Sequence, residues 1–245
     1  MPGLSRSSEE RGAEAREGSA SQAPRRERGT QSAREEILAR IRAANGPAAA
    51  GEAGAAYAAI PRGYLRRHHD PGSTDIVALF AERAGDYRAV VTRVPADGVA
   101  PAVASALAAL PHRAVLVPDG VPGDWLAGLP AGTEVLSDEP ALSPGQLDQV
   151  PAVLTGCAAA IAETGTVVLD HGAGQGRRAL TLLPDFHLVV VRADQVAADL
   201  PDALDRLSSS RPLTFISGPS ATSDIELIRV EGVHGPRQLH ILIAG

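Results

Sequence analysis

The sequence predicts an α/β fold in which helices flank a mostly parallel or mixed sheet. From Ser73 onward, short apolar segments rich in Val, Leu and Ile alternate with segments of helical periodicity. This order is typical of βαβ units and parallel strands. In the second half of the chain, the strand-like segments follow one another with few helices between them. We therefore expect one extended sheet that is mixed in part.

The individual elements follow from apolar periodicity and from the turn residues between them. Helices are predicted at 74–85, 98–110 and 193–207, with a weaker one at 121–129. Strands are predicted at 87–94, 113–118, 133–137, 166–170, 187–192, 212–217 and 238–245.

The chain falls into three predicted regions. Residues 1–31 alternate Arg, Glu, Ser, Gly and Ala and have little apolar surface to bury, so we expect a disordered tail. Within 32–60, Ser32 and Glu35 have the spacing of a capping box that begins a helix, and a Gly- and Ala-rich linker follows. Residues 61–245 form the predicted α/β domain.

Composition excludes several classes of function. The 245 residues carry a net charge of −6, which argues against broad nucleic-acid binding. All 23 basic residues are arginine, so a Schiff-base mechanism, a pyridoxal phosphate anchor and a standard P-loop are excluded, because each needs a lysine. No apolar segment approaches the roughly 18–20 residues of a membrane span, and charged residues stand where a signal peptide needs apolar ones. We therefore expect a cytoplasmic protein.

The single cysteine and most histidines favour structural roles. Cys157 stands in an apolar segment without a neighbouring base, so a buried thiol is favoured over a nucleophile. One thiolate cannot hold an iron–sulfur cluster. Adjacent side chains diverge in the segment His68-His69-Asp70, and no further ligand stands at a useful spacing, so we predict no metal site. His187 and His240 are expected in core strands.

Glu163 is the first candidate for chemistry. It follows an apolar run and precedes Thr164-Gly165-Thr166, where a buried segment turns into a strand. A carboxylate in apolar surroundings is hydrogen-bonded or has a raised pKa, and either state suits a nucleophile or a general acid–base. The alternative is a structural glutamate that accepts backbone hydrogen bonds at a turn.

A glycine-rich loop at 171–178, HGAGQGRR, is the second candidate. Glycines such as Gly174 let backbone N–H groups approach an anion, and the Arg177 guanidinium can bind a carboxylate or phosphate with two hydrogen bonds. The glycine spacing does not match the Rossmann fingerprint. A tight turn with solvated arginines is the alternative.

The segment 217–240 is the third candidate. Ser220 and Thr222 supply hydroxyls after the end of a predicted strand, where open α/β sheets place their ligands. Asp224 stands in the same stretch and opposes an anion unless it contacts a cation or hydroxyl groups. His234, in a predicted turn, suits a base, a proton donor or a structural hydrogen bond.

Four segments in this order and spacing closely resemble the LUD domain family, in its lactate utilisation protein C (LutC) branch: IAETGTVVLD, GQGRRALTLLPDFHLVVV, SGPSATSDIE and GVHGPRQLHILI. The resemblance is dense over 150–245, looser over 33–149 and absent from the first thirty residues. It implies a NagB/RpiA/CoA-transferase-like fold. It also implies a subunit of a bacterial system that converts L-lactate to pyruvate. Its expected partners are iron–sulfur proteins of LutA and LutB type, and this chain is expected to be the member without a cluster.

The CoA transferases of related fold suggest a second function. They use a glutamate followed by a small residue and glycine, and Glu163-Thr164-Gly165 is similar. In that case Glu163 attacks an acyl carbon while backbone N–H groups stabilise the oxyanion. A non-catalytic assembly subunit is a third interpretation. The sequence leaves open which applies.

The candidate site therefore combines all three segments around a small anionic ligand. Glu163 and His234 are the candidate catalytic residues. The candidate ligand-binding residues are Thr164, Gly165, Thr166, Gly174, Arg177, Ser220, Thr222 and Asp224.

Overall fold

A computed structural model describes residues 32–46, 52–63, 74–111, 113–208, 210–222, 230–232 and 235–245. The chain divides into two compact units, 1–62 and 63–245. The predicted tail 1–31 and the segment His68-His69-Asp70 lie outside the described residues. No helix in the described ranges is long and apolar enough to cross a membrane.

The described part of the first unit is helical. Helix α1 spans Ala33–Asn45, and its capping box is confirmed: the Ser32 hydroxyl accepts from the Glu35 N–H while the Glu35 carboxylate accepts from the Ser32 N–H. A second helix, α2, spans Glu52–Ala59 and occupies part of the predicted linker. Alanine has the highest helix propensity of any residue, which outweighs the scattered glycines there.

The second unit contains the α/β fold. Its described helices are α3 (Ile76–Asp86), α4 (Val99–Ala108), α5 (Pro144–Leu147) and α6 (Leu200–Leu204). Its described strands are β1 (Val90–Val94), β2 (Ala114–Leu116), β3 (Glu134–Leu136), β4 (Ala152–Thr155), β5 (Ala159–Ile161), β6 (Thr166–Leu169), β7 (Phe186–Arg192), β8 (Val196–Ala197), β9 (Thr214–Ile216), β10 (Ala221–Thr222), β11 (Val230–Glu231) and β12 (Gln238–Ala244). The predicted weak helix at 121–129 is a short 3₁₀ turn, Gly123–Leu126.

A six-stranded sheet forms the centre of this unit. Its strand order is β1-β12-β7-β4-β2-β3, and every neighbouring pair is parallel. The central strands β4 and β7 are buried almost throughout, as parallel strands covered on both faces must be. This sheet confirms the predicted α/β class with a parallel sheet flanked by helices.

The expectation of one extended sheet is wrong. Strands β8, β5, β6 and β9 form a separate mixed sheet, and β10 pairs with β11 on its own. Only residues 156–158 separate β4 from β5, which is too short for a crossover to a parallel neighbour in the same sheet. The chain therefore leaves the central sheet at that point.

The predicted helix at 193–207 is also wrong over most of its length. The segment forms a 3₁₀ turn, Ala193–Gln195, then β8, and only Leu200–Leu204 is helical. Val196 is buried and pairs with β5, so tertiary packing overrides the helical pattern. Pro201 lacks a backbone N–H and fits only in the first turn of α6.

Alternate residues of β7 face opposite layers of the molecule. Leu188 and Val190 pack with α4, whereas Val189 and Val191 pack with α3 and with the second sheet. This alternation follows from the two-residue period of a strand. The core is therefore two apolar layers separated by the central sheet.

Two histidine–threonine pairs bridge neighbouring strands of that sheet. The His187 Nε2 atom lies 2.8 Å from the Thr155 Oγ1 atom, and the His240 Nε2 atom lies 2.9 Å from the Thr92 Oγ1 atom. Burial lowers the pKa of His187 from its ordinary 6.5 to about 4 and also lowers the pKa of the half-buried His240. Both rings lie in strands, as predicted.

Replacing His187 with glutamine should make stability less dependent on pH. At pH 5 the unfolded chain protonates His187 and the folded chain does not, so the wild type loses stability as the pH falls from 8 to 5. The loss from this one group is about 2 kcal/mol for a pKa that changes from 6.5 to about 4. Urea denaturation at both pH values measures it. An equal pH dependence in His187→Gln would contradict the assignment.

Candidate functional site

Residues 171–177 of the glycine-rich loop occupy the crevice between the carboxyl ends of β2 and β4. The Gly174 N–H donates to the Asp119 carbonyl at 2.7 Å, and the Gly174 carbonyl accepts from the Gly156 N–H at 2.8 Å. Gly174 has φ +73°, and an added Cβ would stand 3.1 Å from the Gly120 carbonyl oxygen. The loop therefore needs glycine at this position.

This crevice is the switch point of the sheet. The connection from β2 runs outward to β3, whereas the chain leaving β4 returns on the opposite side as β7. Open α/β sheets bind ligands where the connections diverge in this way. Here the glycine-rich loop itself forms hydrogen bonds with the backbone groups of Asp119 and Gly156 that a ligand in the crevice would otherwise contact.

Asp170 holds the loop in shape. Its carboxylate accepts from the Gly172 N–H, from the Gln175 amide and from the Arg211 guanidinium, at 2.8–3.0 Å. Burial alone would raise the pKa of Asp170, but the hydrogen bonds from Arg211, Gly172 and Gln175 outweigh it and lower the pKa. Gln175, which is buried, also accepts from the Asp170 N–H. Asp170 is therefore a structural anion.

Arg177 forms an ion pair with a neighbouring carboxylate. Its Nε and one terminal nitrogen donate to the two oxygens of Asp138, at 2.7 and 2.9 Å, and the guanidinium also donates to the Leu142 carbonyl. The hydrogen bond from Arg177 is the main cause of a lowered pKa at Asp138. A cavity of about 440 Å³ beside this pair is also lined by Asp119 and Glu139, which oppose an anion.

On the other side of the loop lies Cys157, which lines a cavity of about 120 Å³ with Trp125 and Gln195. The Gln195 amide donates to the Cys157 carbonyl at 2.7 Å. Burial raises the pKa of the Cys157 thiol to about 12, so it stays neutral at physiological pH. The prediction of a buried cysteine is confirmed.

Glu163 lies in the turn that joins β5 to β6. It is half-buried, and its N–H donates to the Ala198 carbonyl at 3.1 Å. Gly165 in the same turn has φ +58°, and an added Cβ would stand 2.4 Å from the Ala84 backbone nitrogen. The turn therefore packs closely against α3.

A chain of hydroxyl groups extends from this turn to β9. The Thr166 Oγ1 atom lies 2.7 Å from both the Thr164 Oγ1 atom and the Ser217 Oγ atom. All three residues line a cavity of about 510 Å³ whose other lining is mainly apolar, including Leu204 and Phe215. These hydroxyls therefore supply a few polar groups to an otherwise apolar surface.

A different cavity lies near the amino ends of β7 and β12. It has a volume of about 300 Å³ and is lined by Arg178, Thr181, Thr214, Ser217 and Ser220 among other residues. We call it the Arg178 cavity. Its described lining includes no carboxylate side chain, in contrast to the cavity beside Arg177.

The third predicted segment is described only in part. The Ser220 N–H donates to the Pro236 carbonyl at 2.8 Å, and Thr222 pairs with Val230 in the β10–β11 ribbon. Asp224 and His234 lie outside the described residues. Gly235, which follows His234 in the chain, lines the Arg178 cavity.

The structure does not bring the described candidates into one cavity. Thr164 and Thr166 line the apolar cavity, Gly174 and Arg177 belong to the loop cavities, and Ser220 lines the Arg178 cavity. Thr181 and Thr214, which line the Arg178 cavity, are not among the predicted residues, because a threonine in an apolar segment carries no pattern that marks a site. Among the described residues, no three His, Cys, Asp or Glu side chains form a group that could hold a metal.

These features define an α/β protein that has a parallel sheet covered by helices and a loop in its switch-point crevice. Cavities lie near the carboxyl ends and near the amino ends of its central strands. The LUD domain family profile matches residues 145–244. Lactate utilization protein C of Deinococcus radiodurans is 51% identical over 175 residues, which cover 70% of this chain and 80% of that protein. The chain belongs to the LUD domain family, in its lactate utilisation protein C branch, which confirms the resemblance seen in the sequence.

More distant relatives match a shorter stretch. Lactate utilization protein C of Bacillus pumilus is 39% identical over 92 residues, which cover 34% of this chain and 38% of that protein. YkgG of Escherichia coli, an uncharacterized protein, is 37% identical over 91 residues, 34% of this chain and 39% of its own length. The crystal structure of a DUF162 family protein from Deinococcus radiodurans matches with a TM-score of 0.60 and 46% identity, covering 70% of this chain and 97% of that chain.

Replacing Gly165 with alanine should destabilise the protein by about 2–4 kcal/mol, because the new Cβ meets the backbone of α3 and the φ angle disfavours a side chain. Thermal and urea unfolding measure the change. The matched control is Gly85→Ala in α3, where a Cβ meets nothing within 4 Å. That substitution should be neutral or stabilise by up to about 1 kcal/mol. Equal effects at the two sites would show that the turn does not pack on α3.

Replacing Arg177 with glutamine should raise the pKa of Asp138, because the guanidinium is the main group that lowers it and burial then acts unopposed. NMR titration of the Asp138 carboxyl carbon measures the change. Arg178→Gln is the matched control and should leave that titration unchanged. A similar rise in both variants would mean that Arg177 is not the specific partner.

Proposed function

We propose that the chain acts in bacterial lactate utilisation, as a LutC-like subunit of a system that converts L-lactate to pyruvate, and that it binds a small anionic ligand. The observation that carries the proposal is 51% identity over 175 residues to a protein named lactate utilization protein C. At that identity the two chains share their fold.

The redox step itself belongs to partner proteins in this proposal. Oxidation of L-lactate to pyruvate releases two electrons and two protons, and an acceptor must take the electrons. Cys157 is the one cysteine of the sequence, and its thiol is buried with a raised pKa. We infer that iron–sulfur proteins of LutA and LutB type supply the clusters, and that this chain carries no cofactor of its own.

An apolar surface beside the Thr164 hydroxyl supports association with a partner. Tyr87, Leu200, Leu204 and Phe215 are 44–50% exposed in the described part of the chain, and all four line the cavity of about 510 Å³. Contiguous exposed apolar side chains favour contact with another protein.

The geometry supports a binding subunit better than an acyl transferase. Acyl transfer by Glu163 needs oxyanion donors next to the carboxylate. The glycine-rich loop is instead bound to the segments that follow β2 and β4, while Glu163 belongs to a turn of the second sheet. An acyl-CoA should therefore leave no covalent adduct on Glu163, which intact-protein mass spectrometry would detect.

The full chain should restore growth on L-lactate to a bacterium that lacks its own LutC and retains the iron–sulfur partners. Growth on glucose serves as the control for general fitness. Glu163→Gln should complement as well as the wild type, because the proposal gives Glu163 no covalent step. Failure of the stably expressed wild-type chain to complement would contradict the lactate assignment.

A further inference from the structure

We propose that the Arg178 cavity is a binding site for a short 2-hydroxy monocarboxylate. The cavity is defined by geometry alone, and the choice of an organic acid as its ligand rests in part on the proposed function. The site lies near the amino ends of β7 and β12, away from the switch-point crevice that the glycine-rich loop occupies.

Arg178 supplies the charge that recognises a carboxylate. Within the described part of the chain, its guanidinium makes no hydrogen bond or ion pair, whereas the adjacent Arg177 is held by both oxygens of Asp138. The described lining of the cavity brings no acidic side chain to oppose an anion. An arginine in this state can bind a carboxylate with two parallel hydrogen bonds.

One threonine of the lining presents oxygen lone pairs. The Thr181 hydroxyl donates its only hydrogen to the Arg178 carbonyl at 3.3 Å.

The Thr181 oxygen can still accept a hydrogen bond, because a hydroxyl that donates once keeps its lone pairs. A ligand hydroxyl can donate to this oxygen, whereas a ligand carbonyl, which only accepts, cannot. This difference favours a 2-hydroxy acid over the corresponding 2-oxo acid.

The remaining lining limits the size and charge of the ligand. Leu182 and Leu239 supply apolar surface suited to a methyl group, and the volume of about 300 Å³ admits a three-carbon acid. His187, which also lines the cavity, is neutral above about pH 5 because burial lowers its pKa to about 4. Arg178 is then the one cationic side chain of the described lining, which matches a monoanion better than a phosphate dianion.

Binding to the full-length chain tests the proposal, measured by ligand-observed NMR at pH 7.5 with L-lactate, pyruvate, propionate and inorganic phosphate. L-Lactate should bind most tightly. Pyruvate and propionate should bind about three- to tenfold more weakly, because they lack the hydroxyl hydrogen bond. Phosphate should bind no more tightly than propionate, since it presents two charges to one arginine.

Matched arginine variants locate the site. Arg178→Gln should weaken L-lactate binding at least about tenfold, and Arg177→Gln should change it less than about twofold. Thr181→Val should reduce the preference for L-lactate over propionate to near unity, provided that circular dichroism shows an intact fold. Equal losses in the two arginine variants, or full affinity in Arg178→Gln, would overturn the proposal.

The controls separate this site from the proposed pathway. No L-lactate binding by the wild-type chain up to about 20 mM, or tighter binding of phosphate, overturns the site even if the chain restores growth on L-lactate. Binding that depends on Arg178, in a chain that does not restore growth, supports the site and contradicts the pathway. Arg178→Gln should also impair growth on L-lactate while growth on glucose stays unchanged.

Discussion

Strands β7 and β12 pair in parallel along their whole length, from Phe186 opposite Gln238 to Arg192 opposite Ala244. Both strands are covered on each face, by α4 on one side and by α3 with the second sheet on the other. The two strands pair at seven positions, and the central positions are buried, where an unpaired N–H or carbonyl would be costly. The Arg178 cavity lies at one end of this pair, where His187 of β7 and Leu239 of β12 line it.

The chain must pass from the carboxyl ends of the central strands to their amino ends before it can enter β7. It does so through the glycine-rich loop and the 3₁₀ turn Arg178–Thr181. Arg177 belongs to the carboxyl edge, where it contacts Asp138, and Arg178 lines the cavity near the amino ends of β7 and β12. Two neighbouring arginines thus meet opposite electrostatic surroundings, one neutralised by a carboxylate and one available to an anion.

Much of the fold was predictable because it depends on local pattern. Uninterrupted apolar runs marked β7 and β12, and Ser32 with Glu35 marked the start of α1. The second sheet is not predicted, because β5 and β6 are apolar segments like the central strands. Only the short turn after β4 directs them into a separate sheet. The segment 193–207 was misassigned because the burial of Val196 against β5 is a long-range contact that its helical periodicity does not reveal.

The candidate site likewise depends in part on local sequence and in part on long-range contacts. Residue chemistry alone indicated an arginine beside the glycine-rich loop, hydroxyls near 220 and a carboxylate at 163, and motif order alone indicated the LUD domain family. Which arginine is available, and which threonines share its cavity, was decided by the tertiary structure. Asp138 stands 39 residues from Arg177 in the chain, and the structure puts it within hydrogen-bonding distance. The sequence determines which chemical groups a protein carries. Which groups lie next to one another, and which of them are ion-paired, depends on contacts that only the folded chain makes.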